Sequence, residues 1–187
     1  MAPKVKVTRE DIVTAAIELV RRHGIGAVNA RSVAEVLNCS TQPVFSNFPT
    51  MEALRTAVWE EAMAIYDAYL RREAEENTSP AYKAEGMAYI RFAKEERELF
   101  KLLYMRDRKG QETETESNSF SRIATIVHHV TGLDMDTAAR FHLEMWALVH
   151  GIATMFATNY LALDWDLVSG MISDVYIGLR NRYGLEG

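Results

Sequence analysis

A single cysteine, Cys39, and four widely spread prolines are all that this 187-residue chain holds of the two residue types that most constrain a backbone. One thiol excludes an intramolecular disulfide framework and suits a reducing cytoplasm, the expected location. So few prolines leave helix open nearly throughout. No apolar run approaches the roughly 18 residues of a membrane span. The opening Met-Ala-Pro-Lys-Val-Lys lacks an apolar core segment, so no secretion signal is expected there. It reads instead as a short disordered basic arm. Enzyme machinery is also missing: there is no glycine-rich phosphate loop, no nucleophile elbow and no His-Glu-x-x-His. His128 and His129 are adjacent and point to different faces, while His142 and His150 lie two turns apart. Neither pair has chelating spacing, so no metal and no cofactor are expected.

What is present is a chain with an ordinary globular apolar share, 48%, and a formal charge of −5. That charge is unevenly placed. Residues 1–50 carry Lys4, Lys6, Arg9, Arg21, Arg22 and Arg31 against Glu10, Asp11, Glu18 and Glu35. Six cations against four carboxylates give +2, which leaves −7 for the remainder. A positive end on an acidic body fits a polyanion-binding head, and the body repels the polyanion elsewhere.

Within that head, residues 29–48 read as two short helices joined by a tight turn. Asn29 is a good N-cap, and Val33, Ala34 and Leu37 form one apolar stripe. Asn38 tolerates the left-handed conformation that ends a helix. Ser40 is placed to cap the next helix with Pro43 in its first turn, and Val44, Phe45 and Phe48 are its expected inward stripe. Such a pair packs steeply, as a helix-turn-helix. The outward residues Thr41, Gln42, Ser46 and Asn47 are hydroxyls and amides suited to base edges, and Arg31 suits a phosphate. The other reading of these residues is a solvated helix in a small bundle.

Along the rest of the chain, helix 1 runs from about Thr8 to Arg22, with Ile12, Ala16, Leu19 and Val20 inward. Thr50 caps a long fourth helix to about Glu75, whose Trp59, Met63, Tyr66 and Leu70 share one face. Asn77–Pro80 is a break, with Ser79 as cap and Pro80 at the first helical position. Helices follow over Tyr82–Ala93 and Glu96–Met105. Residues 106–119 read as a mobile loop or a helix start, ahead of a helix from Phe120 to Val130. Asp134 or Asp136 caps a helix to about Tyr160. Ala147, Gly151, Thr154 and Thr158 make a small-residue strip on it, which suits packing against a second subunit. Asp164 caps the last helix, with Val168, Ile172, Val175 and Leu179 inward.

Residues 8–54 resemble the DNA-binding domain of the TetR family of transcriptional regulators. The resemblance rests on Thr8-Arg9-Glu10-Asp11-Ile12, His23-Gly24, Arg31-Ser32-Val33-Ala34-Glu35, Cys39-Ser40, Val44-Phe45, Asn47-Phe48 and Glu52-Ala53-Leu54. Phe45 and Phe48 stand where the family has its aromatic pair. The chain departs from the family at Asn38 (usually Gly), at Asn29-Ala30 (usually Thr with Ile or Val) and at Met51, commonly a phosphate-contacting Lys. Loss of that lysine flattens the salt dependence of DNA binding by roughly one unit of slope. Further on, Trp146-Ala147-Leu148-Val149-His150-Gly151 and Tyr89-Ile90-Arg91-Phe92-Ala93 resemble a subgroup with a Trp…His-Gly signature.

Together these readings give an all-α chain of about nine helices. Residues 1–50 are a three-helix helix-turn-helix domain, and residues 51–187 a helical ligand-binding and dimerisation domain. The expected function is a non-enzymatic DNA-binding regulator, a repressor released from an operator by a small molecule and acting as a homodimer. Candidate DNA contacts are Thr8, Arg9, Arg31, Ser32, Ser40, Thr41, Gln42, Pro43, Ser46 and Asn47. The resemblance implies phosphate contact at Thr8 and Arg9, which as plain residues serve equally as helix caps. Candidate pocket residues are Tyr66, Tyr82, Tyr89, Phe92, Phe100, Tyr104, Met145, Trp146 and His150, an aromatic set that is otherwise core. Candidate dimer residues are Ala147, Gly151, Thr154, Thr158, Val168, Ile172, Val175 and Leu179. The alternative is a helical ligand-binding or scaffold protein that has lost DNA binding, favoured by Met51 and the shallow charge.

Overall fold

The computed structural model describes residues 7–76, 80–105 and 114–185, with the side chains of residues 76 and 114–120 outside the description. The expected basic arm, the Asn77–Ser79 break and most of the charged stretch after Tyr104 therefore lie outside the described residues. Among the described residues there are nine α-helices, one 3₁₀ turn and no strand. None of these helices is long and apolar enough to cross a membrane.

Three helices make the head: α1 (Arg9–His23), α2 (Ala30–Val36) and α3 (Gln42–Asn47). Thr8 caps α1 with a reciprocal box, its hydroxyl accepting from Asp11 N–H (3.1 Å) while its own N–H donates to the Asp11 carboxylate (2.9 Å). That backbone donor holds the Asp11 carboxyl below its ordinary value. Gly24 closes α1 at φ +76, a left-handed conformation open to glycine, and a Cβ there would come within 3.1 Å of a Glu98 carboxylate oxygen. Asn29 caps α2 through both the Arg31 and Ser32 amides (3.0 Å each). Asn38 makes the turn at φ +48, as its short polar side chain allows.

Two expectations for α3 are corrected. The cap position is Thr41 rather than Ser40, and no side-chain cap bond forms. Val44 and Phe48 are buried, yet Phe45 is 50% exposed. A helix of six residues has room for one narrow inward stripe, and residue 45 falls beside it.

The body begins with α4 (Met51–Glu76), capped by Thr50, whose hydroxyl accepts from Ala53 N–H (3.1 Å). Its early residues Leu54, Ala57, Val58 and Ala62 are buried, and α1 packs on it. Then come α5 (Ala81–Glu95), α6 (Arg97–Tyr104), α7 (Glu114–Thr131), α8 (Met135–Ala157) and α9 (Trp165–Arg182). Pro80 occupies the N-cap position of α5, one place ahead of the expected first helical position, and α7 starts six residues before Phe120. Asp134 and Asp164 cap α8 and α9.

The body is organised around α5, which lies between α4 and α8, while α7 and α9 cover α8. Gly86 allows a close α5–α8 approach, since a Cβ there would sit 3.3 Å from a Val149 methyl. One apolar core runs from Ile12 in the head to Ile172 in α9. Two ion pairs hold its edges. Arg91 pairs with Glu73 (3.0 Å), which is only 3% exposed, and lies 4.5 Å over the Trp165 ring. Arg21 of α1 grips Glu96, at the N-cap position of α6, with two bonds of 2.9 and 2.7 Å.

Candidate ligand cavity and nucleic-acid face

A cavity of about 410 Å³ opens among α4, α5, α6, α7, α8 and α9. Helix α4 gives it Trp59, Met63, Tyr66 and Leu70, the stripe expected from their spacing, together with Asp67. Helix α5 contributes Tyr82, Glu85, Gly86 and Tyr89, one face at helical spacing. Leu103 and Tyr104 come from the last turn of α6, and Arg122 and Ile123 from α7. On the α8 side stand His142, Leu143, Met145, Trp146 and Val149, with Ile172 of α9 behind. Exposed Asp67, Arg122, Leu143 and Trp146 mark the mouth.

Of the nine expected pocket residues, the structure brings six to this wall: Tyr66, Tyr82, Tyr89, Tyr104, Met145 and Trp146. Phe92 and Phe100 are fully buried behind it, where Phe92 tilts against Tyr66 (5.2 Å) and Phe100 meets Tyr89 edge-on (5.2 Å). They back the wall without facing the space. His150 also stands behind it, bonded through Nδ1 to the Tyr89 hydroxyl (2.9 Å) and stacked on Trp146 at 4.7 Å.

Polar groups on the wall are few and mostly engaged. The Tyr82 hydroxyl meets His142 Nδ1 at 3.0 Å. Burial pushes the His142 imidazole down to about 4, so it is neutral near pH 7. Burial also pushes the Tyr66 and Tyr82 hydroxyls up, aided in both by the Glu85 charge. Glu85 is the group that sequence reading missed. Burial raises its carboxyl above the ordinary value, and the Arg122 guanidinium only partly counteracts this. The available signal was its place between Tyr82 and Tyr89 on one helical face; a lone Glu on a helix otherwise reads as solvated.

The candidate nucleic-acid residues divide by exposure. Thr8, Arg9, Arg31, Ser40, Thr41, Gln42 and Ser46 are exposed on the head, while Ser32, Pro43 and Asn47 are half-buried. Ser32 is committed internally, its hydroxyl donating to the Ala27 carbonyl (2.7 Å) and accepting from Asn29 N–H (3.1 Å). The Asn47 amide donates to the Pro43 carbonyl (2.9 Å), and Ser46 donates to Gln42 (2.9 Å). Arg9 lies 4.1 Å over the Phe48 ring and reaches the Asn47 carbonyl at 3.4 Å, which joins the start of α1 to the end of α3.

The expected dimer residues also separate. Ala147 and Thr158 are exposed, and Gly151 and Thr154 half-exposed, along the outer side of α8. Val168 and Ile172 are buried in the chain's own core, with Val175 and Leu179 packed against it. Outward on α9 lie Leu167, Asp174 and Gly178, with a half-exposed Gly170 among them and a 54%-exposed Ile177 beside them. A Cβ added at Gly151, Gly170 or Gly178 would meet open space.

The curated proteins hold no match to this chain. Among solved structures, one described as a protein with unknown function from Rhodococcus sp. RHA1 superposes with a TM-score of 0.74. It is 24% identical and covers 97% of this chain and 98% of its own, which establishes a shared fold. Residues 82–171, which supply most of the cavity wall, match the family model for the tetracyclin repressor-like C-terminal domain. The match supports placing the chain in the TetR family, and it points to a regulatory rather than a catalytic protein.

Proposed function

We propose that the chain is a cytoplasmic DNA-binding transcriptional regulator, a homodimeric repressor whose operator affinity is lowered by a small molecule in the cavity. The observation that carries this reading is continuity between head and cavity. Helix α4 is buried against the head through Leu54 and Val58, and a turn later lines the cavity with Met63 and Tyr66. Helix α6 does the same over a shorter distance, with Glu96 at one end on Arg21 and Tyr104 at the other on the cavity wall. A ligand that favours one tilt of these helices therefore biases the head's position, the condition for coupling two sites.

Residues 1–50 act as the DNA-binding domain and residues 51–187 as the ligand-binding and dimerisation domain. On DNA, exposed Thr41, Gln42 and Ser46 read base edges in the major groove, with Asn47 at the margin, while Thr8, Arg9 and Arg31 meet phosphates. Two heads on one dimer meet a near-palindromic operator about one helical turn apart. The outer α8–α9 stripe, apolar at Leu143, Leu167 and Ile177 and small elsewhere apart from the charged Asp174, suits the isologous pairing of two copies.

The test is fluorescence anisotropy of the full chain on duplex from upstream of its own gene, against a scrambled duplex, across a salt series. Binding that prefers the native duplex, weakens with salt and loses its preference in Gln42→Ala supports the regulator. If a wider selection of duplexes finds none preferred, the helical ligand-binding reading takes its place.

A further inference from the structure

The cavity's charge is lopsided. Its wall carries two carboxylates, Asp67 and Glu85, against one guanidinium, Arg122. Their placement sharpens the imbalance. Asp67 and Arg122 stand at the exposed mouth, where water can solvate both, whereas Glu85 sits half-buried in the wall between two tyrosines. Among the described residues Glu85 has no hydrogen-bond donor and no ion-pair partner, and Arg122 acts on it through charge alone. The neighbouring His142 is neutral near pH 7 and supplies no charge. An ionised carboxylate left without a partner in an apolar wall is unfavourable unless something positive arrives.

The rest of the wall suits such an arrival. Aromatic rings present a negative face, and a cation close to several of them is held without losing its charge to a specific base. Here Trp59, Tyr66, Tyr89, Tyr104 and Trp146 all border the space. Tyr66, Tyr89 and Tyr104 already pack edge-on with one another at 4.8–6.0 Å, which fixes the cage before a ligand enters. A volume near 410 Å³ admits a drug-sized molecule.

We infer that the cavity takes an organic cation, an amphipathic amine or quaternary ammonium whose charge lies against the Glu85 carboxylate and whose apolar body is enclosed by the tyrosine and tryptophan rings. This deepens the effector-cavity reading and rests on it. An anionic ligand would meet the Glu85 and Asp67 charges with only Arg122 at the rim to attract it. A neutral ligand would leave Glu85 desolvated and unpaired.

Calorimetric titration of the full-length protein with three matched probes tests this: 2-naphthylmethyl-trimethylammonium, 2-naphthylmethanol and 2-naphthylmethanesulfonate. They share one aromatic body and differ in charge. The expected order is ammonium at least tenfold tighter than alcohol, with sulfonate weakest. In Glu85→Gln the ammonium loses at least tenfold while the alcohol changes less than threefold, which also shows that the cavity is intact. Should that variant not fold, the wild-type order alone decides. Alcohol or sulfonate binding as tightly as ammonium, or an unchanged order in Glu85→Gln, overturns the cation assignment and leaves the effector cavity standing. No binding by any of the three removes both.

Discussion

At the scale of single residues, buried His142 and half-buried Glu85 make opposite demands. His142 is held down to about 4 against an ordinary 6.5. The unfolded chain therefore binds a proton that the folded one refuses between those values, so stability is present above pH 6.5 and is lost as pH falls toward 4. Allowing for residual screening, about 1–2 kcal/mol depends on this residue. Urea unfolding of wild type and His142→Gln across that range should show the wild type losing that much more than the variant. Glu85 runs the other way. With its folded value raised, its unfavourable effect is absent at low pH and appears as pH rises through the carboxylate range. Ligand-free Glu85→Gln is therefore expected to be more stable at pH 7, by no more than about 1 kcal/mol because solvent still screens the group. In thermal denaturation that is a rise of at most about 2–4 °C. Both residues sit on helical faces whose neighbours were legible as aromatic. What was not legible is that a polar residue shares that face, because periodicity reports which side is apolar and not which polar side chain is drawn in with it.

Among the elements, caps and turns were the most readable. Thr8, Asn29, Asn38, Thr50, Asp134 and Asp164 all end or start helices where their side-chain chemistry places them. Faces were harder. Phe45 turned outward, and Phe92 and Phe100 went behind the cavity wall, while Val168 and Ile172 took the inward face expected of them within the chain's own core, because one apolar stripe fits several partners until the packing order is known. The link between α1 and α6 was invisible for the same reason, as Arg21 and Glu96 are 75 residues apart. That pair predicts a separable defect. Because the Arg21 side chain is 44% exposed and solvent screens the pair, Arg21→Ala should cost about 1 kcal/mol in stability. Under the proposed function, ligand affinity, read by calorimetry, should stay within about twofold, while the ligand's effect on DNA affinity should shrink markedly. Anisotropy with and without ligand reads that second quantity; an undiminished effect would assign coupling to α4 alone.

At the scale of the whole molecule, the outer α8–α9 stripe is the surface to challenge. Gly178→Glu puts a charge where a Cβ now meets open space, so the fold of one chain should be unaffected. If that stripe pairs two copies, sedimentation equilibrium should show the dimer of the wild type replaced by monomer, with helical content unchanged. A variant that stays dimeric would place the interface elsewhere. The long helix α4 carries a different consequence, one for recombination. Leu54, Ala57, Val58 and Ala62 belong to a core continuous with the head, so a cut before Met51 would bare a row of apolar side chains. A chimera given another protein's three N-terminal helices should therefore be spliced beyond Ala62, carrying the donor's own first three turns of this helix. Grafts joined at residue 50 are expected to aggregate.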